Sequence, residues 1–187
     1  MKLKYMKAFI CIFFIALFFL PSNIFTYPHS TAEYKKPFIY PLQGEILVGF
    51  REEYFDIEKS SYHKHTGIDI SGSPGERVLA AGNGTVSYTG FSPTGGRTVV
   101  IKHNKMIRTT YLNLQNIYVS RGDSVLQGDI IASIGALDDP SCGEYHLHFG
   151  IIYDGAYLDP VQLLNIDYYS ISRFLKLEYM QRDFRIY

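Results

Sequence analysis

The chain has 187 residues, room for one domain of ordinary size plus a leader, and its 18 basic and 18 acidic side chains cancel. Residues 1–27 hold three lysines and no acid, which leaves 15 basic and 18 acidic groups in the remainder, a net charge of about −3. A slightly acidic domain lacks the basic face that phosphate binding needs, so the composition speaks against nucleic acid as a partner.

The chain opens on Met1-Lys2-Leu3-Lys4-Tyr5-Met6-Lys7, followed by an unbroken apolar run over residues 8–20. Charge first and a short apolar block second is the layout of a secretory signal. The block is short for a membrane span, which needs about 20 residues. Ile24, Phe25 and Tyr27 extend the apolar character past Pro21, however, and no Ala-x-Ala site follows. Residues 1–27 are therefore a signal peptide or an N-terminal anchor. Both export the rest, to the periplasm or cell envelope, with membrane contact through 1–27 where the leader is not cleaved. Cys11 lies inside this leader, so Cys142 is the only cysteine of the exported part and no intramolecular disulfide forms there. The domain must be held by its core or by a metal.

Residues 28–45 are polar, carry Pro28, Pro37 and Pro41, and read as a linker. From 46 to 164 short apolar runs alternate with turn residues, giving expected strands at 46–50, 67–70, 77–81, 85–89, 97–103, 107–112, 130–134 and 146–153. Fourteen of the 16 glycines lie between Gly67 and Gly155, at the joints of those runs. Many short strands with glycine-rich turns indicate an all-β, antiparallel sandwich or barrel-like domain. Asn83-Gly84 reads as a hairpin turn. The tail, 165–187, has no glycine and is rich in tyrosine and phenylalanine. Ile171, Phe174, Leu175 and Tyr179 fit one helical face, as a packed helix or an irregular arm.

Two histidine motifs carry the chemistry. His146-Leu147-His148 sits in an expected strand, where residues two apart share a face, so both imidazoles project together while Leu147 turns to the core. His65-Thr66-Gly67-Ile68-Asp69 adds a second histidine and a carboxylate, with Gly67 allowing close approach. Two histidines and one carboxylate make a three-ligand zinc site with an open position. Such a site brings the pKa of water to about 7.

On these residues the stretch from His65 to Leu164 resembles the lysostaphin/LytM-type zinc metallopeptidases, which cleave peptides of bacterial peptidoglycan. The matching text begins with His65 to Ile70 and Val78-Leu79-Ala80-Ala81-Gly82-Asn83-Gly84-Thr85-Val86. It continues with Val99-Val100-Ile101-Lys102-His103, Thr110-Tyr111, Val119 to Val125 and Gly128-Asp129-Ile130-Ile131. It closes with His146-Leu147-His148-Phe149 and Asp159-Pro160. The resemblance implies a compact antiparallel β core with a groove, and peptidoglycan peptides as substrate. It also implies that His65, Asp69 and His148 bind Zn2+, with His146 beside the metal as a catalytic group. Tyr111 is implied as a lesser candidate for lining the groove, together with the loops 91–96 and 137–145.

One position departs from the family pattern. Tyr-x-His-Leu is usual after the central strand, and here the text is Tyr111-Leu112-Asn113-Leu114. Asn113 can donate a hydrogen bond to an oxyanion but cannot take a proton from water. Two functions therefore stand: a working zinc endopeptidase with His146 as sole general base, or a degenerate domain. The latter would bind peptidoglycan or regulate a partner cell-wall hydrolase. Cys142 reads as a loop thiol and His103 as a hydrogen-bonding strand residue. His63 lacks the spacing to Asp69. Arg121-Gly122-Asp123 reads as a turn, and the sequon at Asn83 as part of the Asn83-Gly84 hairpin.

Overall fold

The computed structural model describes residues 36–56, 60–93, 95–135 and 143–167, all within the unit Tyr34–Tyr187. The expected leader, Cys11, Cys142, most of the loop 137–145 and the tail from 168 lie outside the described residues. No helix among the described residues is long and apolar enough to cross a membrane.

The described chain runs β1 (Ile46–Val48), β2 (Glu53–Asp56), β3 (Ser61–Lys64), β4 (Ile68–Ser71), β5 (Arg77–Leu79) and β6 (Gly84–Ser92). It goes on through β7 (Gly96–Lys102), β8 (Ile107–Ile117), β9 (Ser124–Val125), β10 (Ile130–Ile134), β11 (His146–Tyr153), β12 (Ala156–Leu158) and a short helix, α1 (Pro160–Leu164). Ten strands form one sheet with the path β1-β4-β11-β8-β7-β6-β9, while β10 bridges β5 to β8 and β12 extends β11. Every recorded pairing is antiparallel, as expected from the sequence. The long strand β8 organises the sheet, pairing with β11, β7 and β10. β2 and β3 form a separate two-stranded sheet that the sequence reading did not anticipate.

The core gathers Ile68 and Ile70 of β4, Val99 and Ile101 of β7, and Leu147, Phe149 and Ile151 of β11. These are alternate residues on each strand, so the intervening positions face the other way. That second face of β4 and β11 carries Asp69, His146 and His148. The strand alternation thus separates the apolar core from the polar site.

Several expectations change. Residues 36–45 are part of the domain rather than a linker, because Phe38 and Leu42 are buried in the core. Asn83-Gly84 is not a hairpin turn, since β5 pairs with β10 and not with β6. Glycine is needed at 84 for a different reason: a Cβ there would lie 2.6 Å from Ile101 Cγ2 and 2.7 Å from the Lys102 carbonyl. The true two-residue hairpin is Asp154-Gly155, where Tyr153 pairs with Ala156 and both turn residues have positive φ (47° and 82°). Arg121-Gly122-Asp123 is a turn, with Gly122 at φ 100° and Asp123 Oδ2 accepting from the Ser120 N–H.

Tyr111 is a core residue and not a groove wall. It is fully buried, packs on Phe149, accepts a hydrogen bond from the Ala81 N–H at 2.8 Å and shares one with the Thr109 hydroxyl at 3.0 Å. Burial pushes its phenol up to about 12. A group whose folded pKa is raised stabilises the fold below its unfolded pKa of about 10 and loses that contribution as pH climbs toward 12. Tyr111→Phe should cost about 1–3 kcal/mol in urea denaturation at pH 7, because the Ala81 N–H is left unpaired. The gap between variant and parent should narrow from pH 10 to 12; a gap that stays constant over that range would contradict this account of Tyr111.

Candidate metal centre

The site is built by the register of two strands. β4 and β11 pair so that Asp69 lies directly opposite His148, and Ser71 opposite His146. Directly opposed residues share a face with Cβ atoms about 4.5–5.5 Å apart, so this pairing alone brings carboxylate and imidazole together. His65 arrives from the segment just before β4. Gly67 lets it pass: a Cβ at that position would run into the Phe149 carbonyl and lie 3.0 Å from His148 Nε2.

Three donor atoms then converge. His65 Nε2 lies 2.9 Å from His148 Nδ1, and Asp69 Oδ1 is 3.0 Å from each. A tetrahedral zinc ion with bonds of 2.0–2.1 Å sets its ligand atoms about 3.3 Å apart, so this nearly equilateral triangle fits such an ion with small adjustment. The donor set suits zinc as well: two neutral imidazole nitrogens and one carboxylate oxygen. Asp69 is completely enclosed, and His65 and His148 keep only 3% and 5% exposure. Burial alone would raise the Asp69 pKa, but hydrogen bonds and charge from His148 and His65 outweigh it and hold the carboxyl well below its ordinary range. It is an anion at neutral pH.

The outer nitrogens are anchored as well. His65 Nδ1 is 3.0 Å from the Gly49 carbonyl. A carbonyl only accepts, so Nδ1 carries a proton, and once the ring gives up the proton it shares with Asp69, Nε2 presents a lone pair to the triangle. His146 sits beside the three donors with Nε2 3.8 Å from Asp69 Oδ1, while its Nδ1 donates to the Glu144 carbonyl at 2.7 Å. Its tautomer is set in the same way, with Nε2 as the acceptor.

Asn113 is fully buried next to His146. Its Nδ2 is 3.4 Å from both ring nitrogens and 3.3 Å from the His146 carbonyl, and its Oδ1 has no hydrogen-bond partner among the described residues. The backbone there has φ 63°, where the β7–β8 register shifts and the Asn113 N–H donates to the Gly95 carbonyl. Few residues tolerate that conformation, and asparagine and histidine are among those that do.

Of the sequence candidates, His65, Asp69, His146, His148 and Asn113 come together, and His65, Asp69 and His148 form the metal-capable cluster among the described residues. His63 points elsewhere, its Nε2 hydrogen-bonded to Ser61. His103 is bound to the Asn83 carbonyl and the Thr109 hydroxyl, and burial lowers its pKa. The anchoring carbonyls of Gly49 and Glu144 were invisible in the sequence, because any residue type supplies a carbonyl.

Three comparisons bear on this centre. The model of peptidase family M23 matches residues 63–160. Outer membrane antigenic lipoprotein B of Haemophilus influenzae is 35% identical over 126 residues, 67% of this chain and 28% of that protein. Murein hydrolase activator NlpD of Escherichia coli is 30% identical over 126 residues, 67% of this chain and 30% of that protein. The chain thus spans under a third of the length of these two relatives. Among solved structures, a zinc-containing peptidase from Vibrio cholerae superposes with a TM-score of 0.60 at 29% identity, over 70% of this chain and 40% of that one.

Gly67→Ala is expected to cost about 1–3 kcal/mol by overpacking β4 against β11. It should also weaken metal binding by displacing the His148 ring. Thermal melting and metal content of the purified variant check both. Unchanged metal content together with an unchanged Tm would show that the close approach at Gly67 is not needed.

Proposed function

Because the chain belongs to peptidase family M23, as its resemblance to lysostaphin/LytM-type peptidases implied, we propose that it is an exported zinc endopeptidase cutting peptide bonds of bacterial peptidoglycan. The observation that carries this reading is the triangle of His65 Nε2, Asp69 Oδ1 and His148 Nδ1, preformed at 2.9–3.0 Å with His65 Nδ1 held by the Gly49 carbonyl. The family match and the murein-related relative support a role in the cell wall, and the lipoprotein relative supports a place in the envelope.

His65, Asp69 and His148 would hold the zinc. Bound there, the ion supplies Lewis acidity toward a carbonyl and brings the pKa of a water to about 7. The remaining work falls to the protein. His146, held by the Glu144 carbonyl, offers Nε2 to accept a proton. Its Nε2 lies 3.8 Å from the Asp69 oxygen, beside the three ligands. Asn113 contributes a donor, Nδ2, and no titratable group. Among the described residues, His146 is therefore the imidazole left for proton transfer beside the three ligands.

A second reading has its own observation. With Asn113 where the family pattern has histidine, the domain would keep its metal and lose turnover, serving to bind peptidoglycan or to activate a partner hydrolase. The relative named a murein hydrolase activator agrees with that reading.

Peptide release from purified sacculi separates the two. The zinc-loaded protein is expected to release cross-link or stem peptides, with His146→Ala slowing release by about 10²–10⁴-fold while zinc stays stoichiometric. Asn113→His, which the backbone accommodates, should raise the rate. Intact sacculi in the presence of stoichiometric zinc would refute the peptidase and leave the activator.

A further inference from the structure

Between β1 and β2 the chain makes a tight turn, Gly49 to Glu52, that grips His65 at three points. The Arg51 N–H donates to the His65 carbonyl at 2.9 Å, the His65 N–H donates to the Glu52 carbonyl at 2.8 Å, and His65 Nδ1 meets the Gly49 carbonyl at 3.0 Å. The first two bonds continue the β2–β3 ladder, whose last pair is Glu53 with Lys64. The third is made by the side chain and reaches back across the turn. For the Gly49 carbonyl to face His65, the turn must reverse sharply, and Arg51 does this with φ 64°. A non-glycine residue in that conformation is uncommon and strained. The Arg51 guanidinium lies over the Phe50 ring at 5.4 Å, on the outside of the turn.

We propose that the Gly49–Glu52 turn is the positioning element of the metal centre, and that the left-handed backbone of Arg51 aims the Gly49 carbonyl at His65. The inference rests on the zinc reading above and explains how the site is kept ready for the ion. His65 has two neutral tautomers. With the proton on Nδ1, Nε2 presents a lone pair to the triangle. With the proton on Nε2, the ring instead donates to Asp69 Oδ1, only 3.0 Å away. That second arrangement is a charge-assisted hydrogen bond, it occupies the carboxylate, and it competes with a cation. The Gly49 carbonyl tips the choice, because it rewards a proton on Nδ1 and nothing else. Arg51 supplies none of the three donor atoms, so its role toward the ion is positioning.

The test uses the full chain and zinc alone, in competition titrations with a chelator. Arg51→Pro fixes φ near −65° and removes the N–H that binds the His65 carbonyl. Arg51→Val keeps the N–H but resists positive φ. Arg51→Gly adopts it without strain. Zinc affinity should fall about 10–100-fold in the Pro and Val variants, the usual cost of losing an outer partner of a metal ligand, and should match the parent in the Gly variant. In the metal-free parent, long-range nitrogen–proton spectra should show His65 protonated at Nδ1, and in Arg51→Val a shift toward Nε2. Should Arg51→Pro fail to fold by circular dichroism, the Val and Gly pair decides. Parental affinity in the Val variant overturns the inference, as does equal weakening in the Gly variant, which would place the effect in the guanidinium. A parent that binds no zinc, or binds it equally well as His65→Ala, sinks the underlying zinc reading instead.

Discussion

The site depends on one pairing, Asp69 of β4 against His148 of β11. A shift of the register by one residue would turn His146 and His148 into the core and bring Leu147 and Phe149 to the polar face. What prevents the shift is apolar: Ile68, Ile70, Leu147, Phe149 and Ile151 are all buried on the opposite face. The hydrophobic effect thus holds the chemistry in place from behind. Burial on that side is worth roughly 1.5–3 kcal/mol per large side chain. The polar side is costly by itself, because an enclosed carboxylate must be compensated by its neighbours. His65 and His148 provide that compensation, and a cation in the triangle would complete it.

From this pairing outward, His65 and His146 are each held by an outer partner. Gly49 orients His65 and Glu144 orients His146, both through backbone carbonyls. Carbonyls select a tautomer without adding charge, so the centre keeps Asp69 as its only permanent anion among these groups. The β2–β3 hairpin rises from the same turn that grips His65, and the Tyr54 ring stands edge-on to the His65 ring at 6.3 Å. The hairpin and the metal-capable triangle therefore share a root.

Much of this was legible in the residues. Period-two alternation placed His146 and His148 on one face of a strand and Leu147 on the other, and the structure agrees. Asp69, expected in the strand at 67–70, lies in β4 between two buried isoleucines. The antiparallel β class followed from short apolar runs and glycine joints. The misses have local causes. Glu53–Asp56 and Ser61–Lys64 carry mixed, largely exposed side chains, so the hairpin leaves no apolar alternation to detect. β8 was expected to end at 112, but the left-handed Asn113 breaks the side-chain alternation while the strand runs on to Ile117. Tyr111 looked like a groove residue by its place in the motif, yet its hydroxyl satisfies the Ala81 N–H inside the core. Contacts to backbone carbonyls, at Gly49 and Glu144, have no sequence signature at all.

Asn113 is where the family pattern and this chain part, and the structure gives the departure a physical setting. The backbone at 113 excludes most side chains, and asparagine meets that demand without supplying a base. The metal-capable triangle does not depend on it, since none of its three donors comes from β8. Binding of an ion would therefore not depend on the residue at 113, whereas turnover would. Diffraction at the zinc absorption edge from crystals of the protein tests ion binding most directly. The account requires one anomalous peak about 2.0–2.2 Å from His65 Nε2, Asp69 Oδ1 and His148 Nδ1. Zinc held by other donors, with these three atoms still bonded to one another, would contradict it.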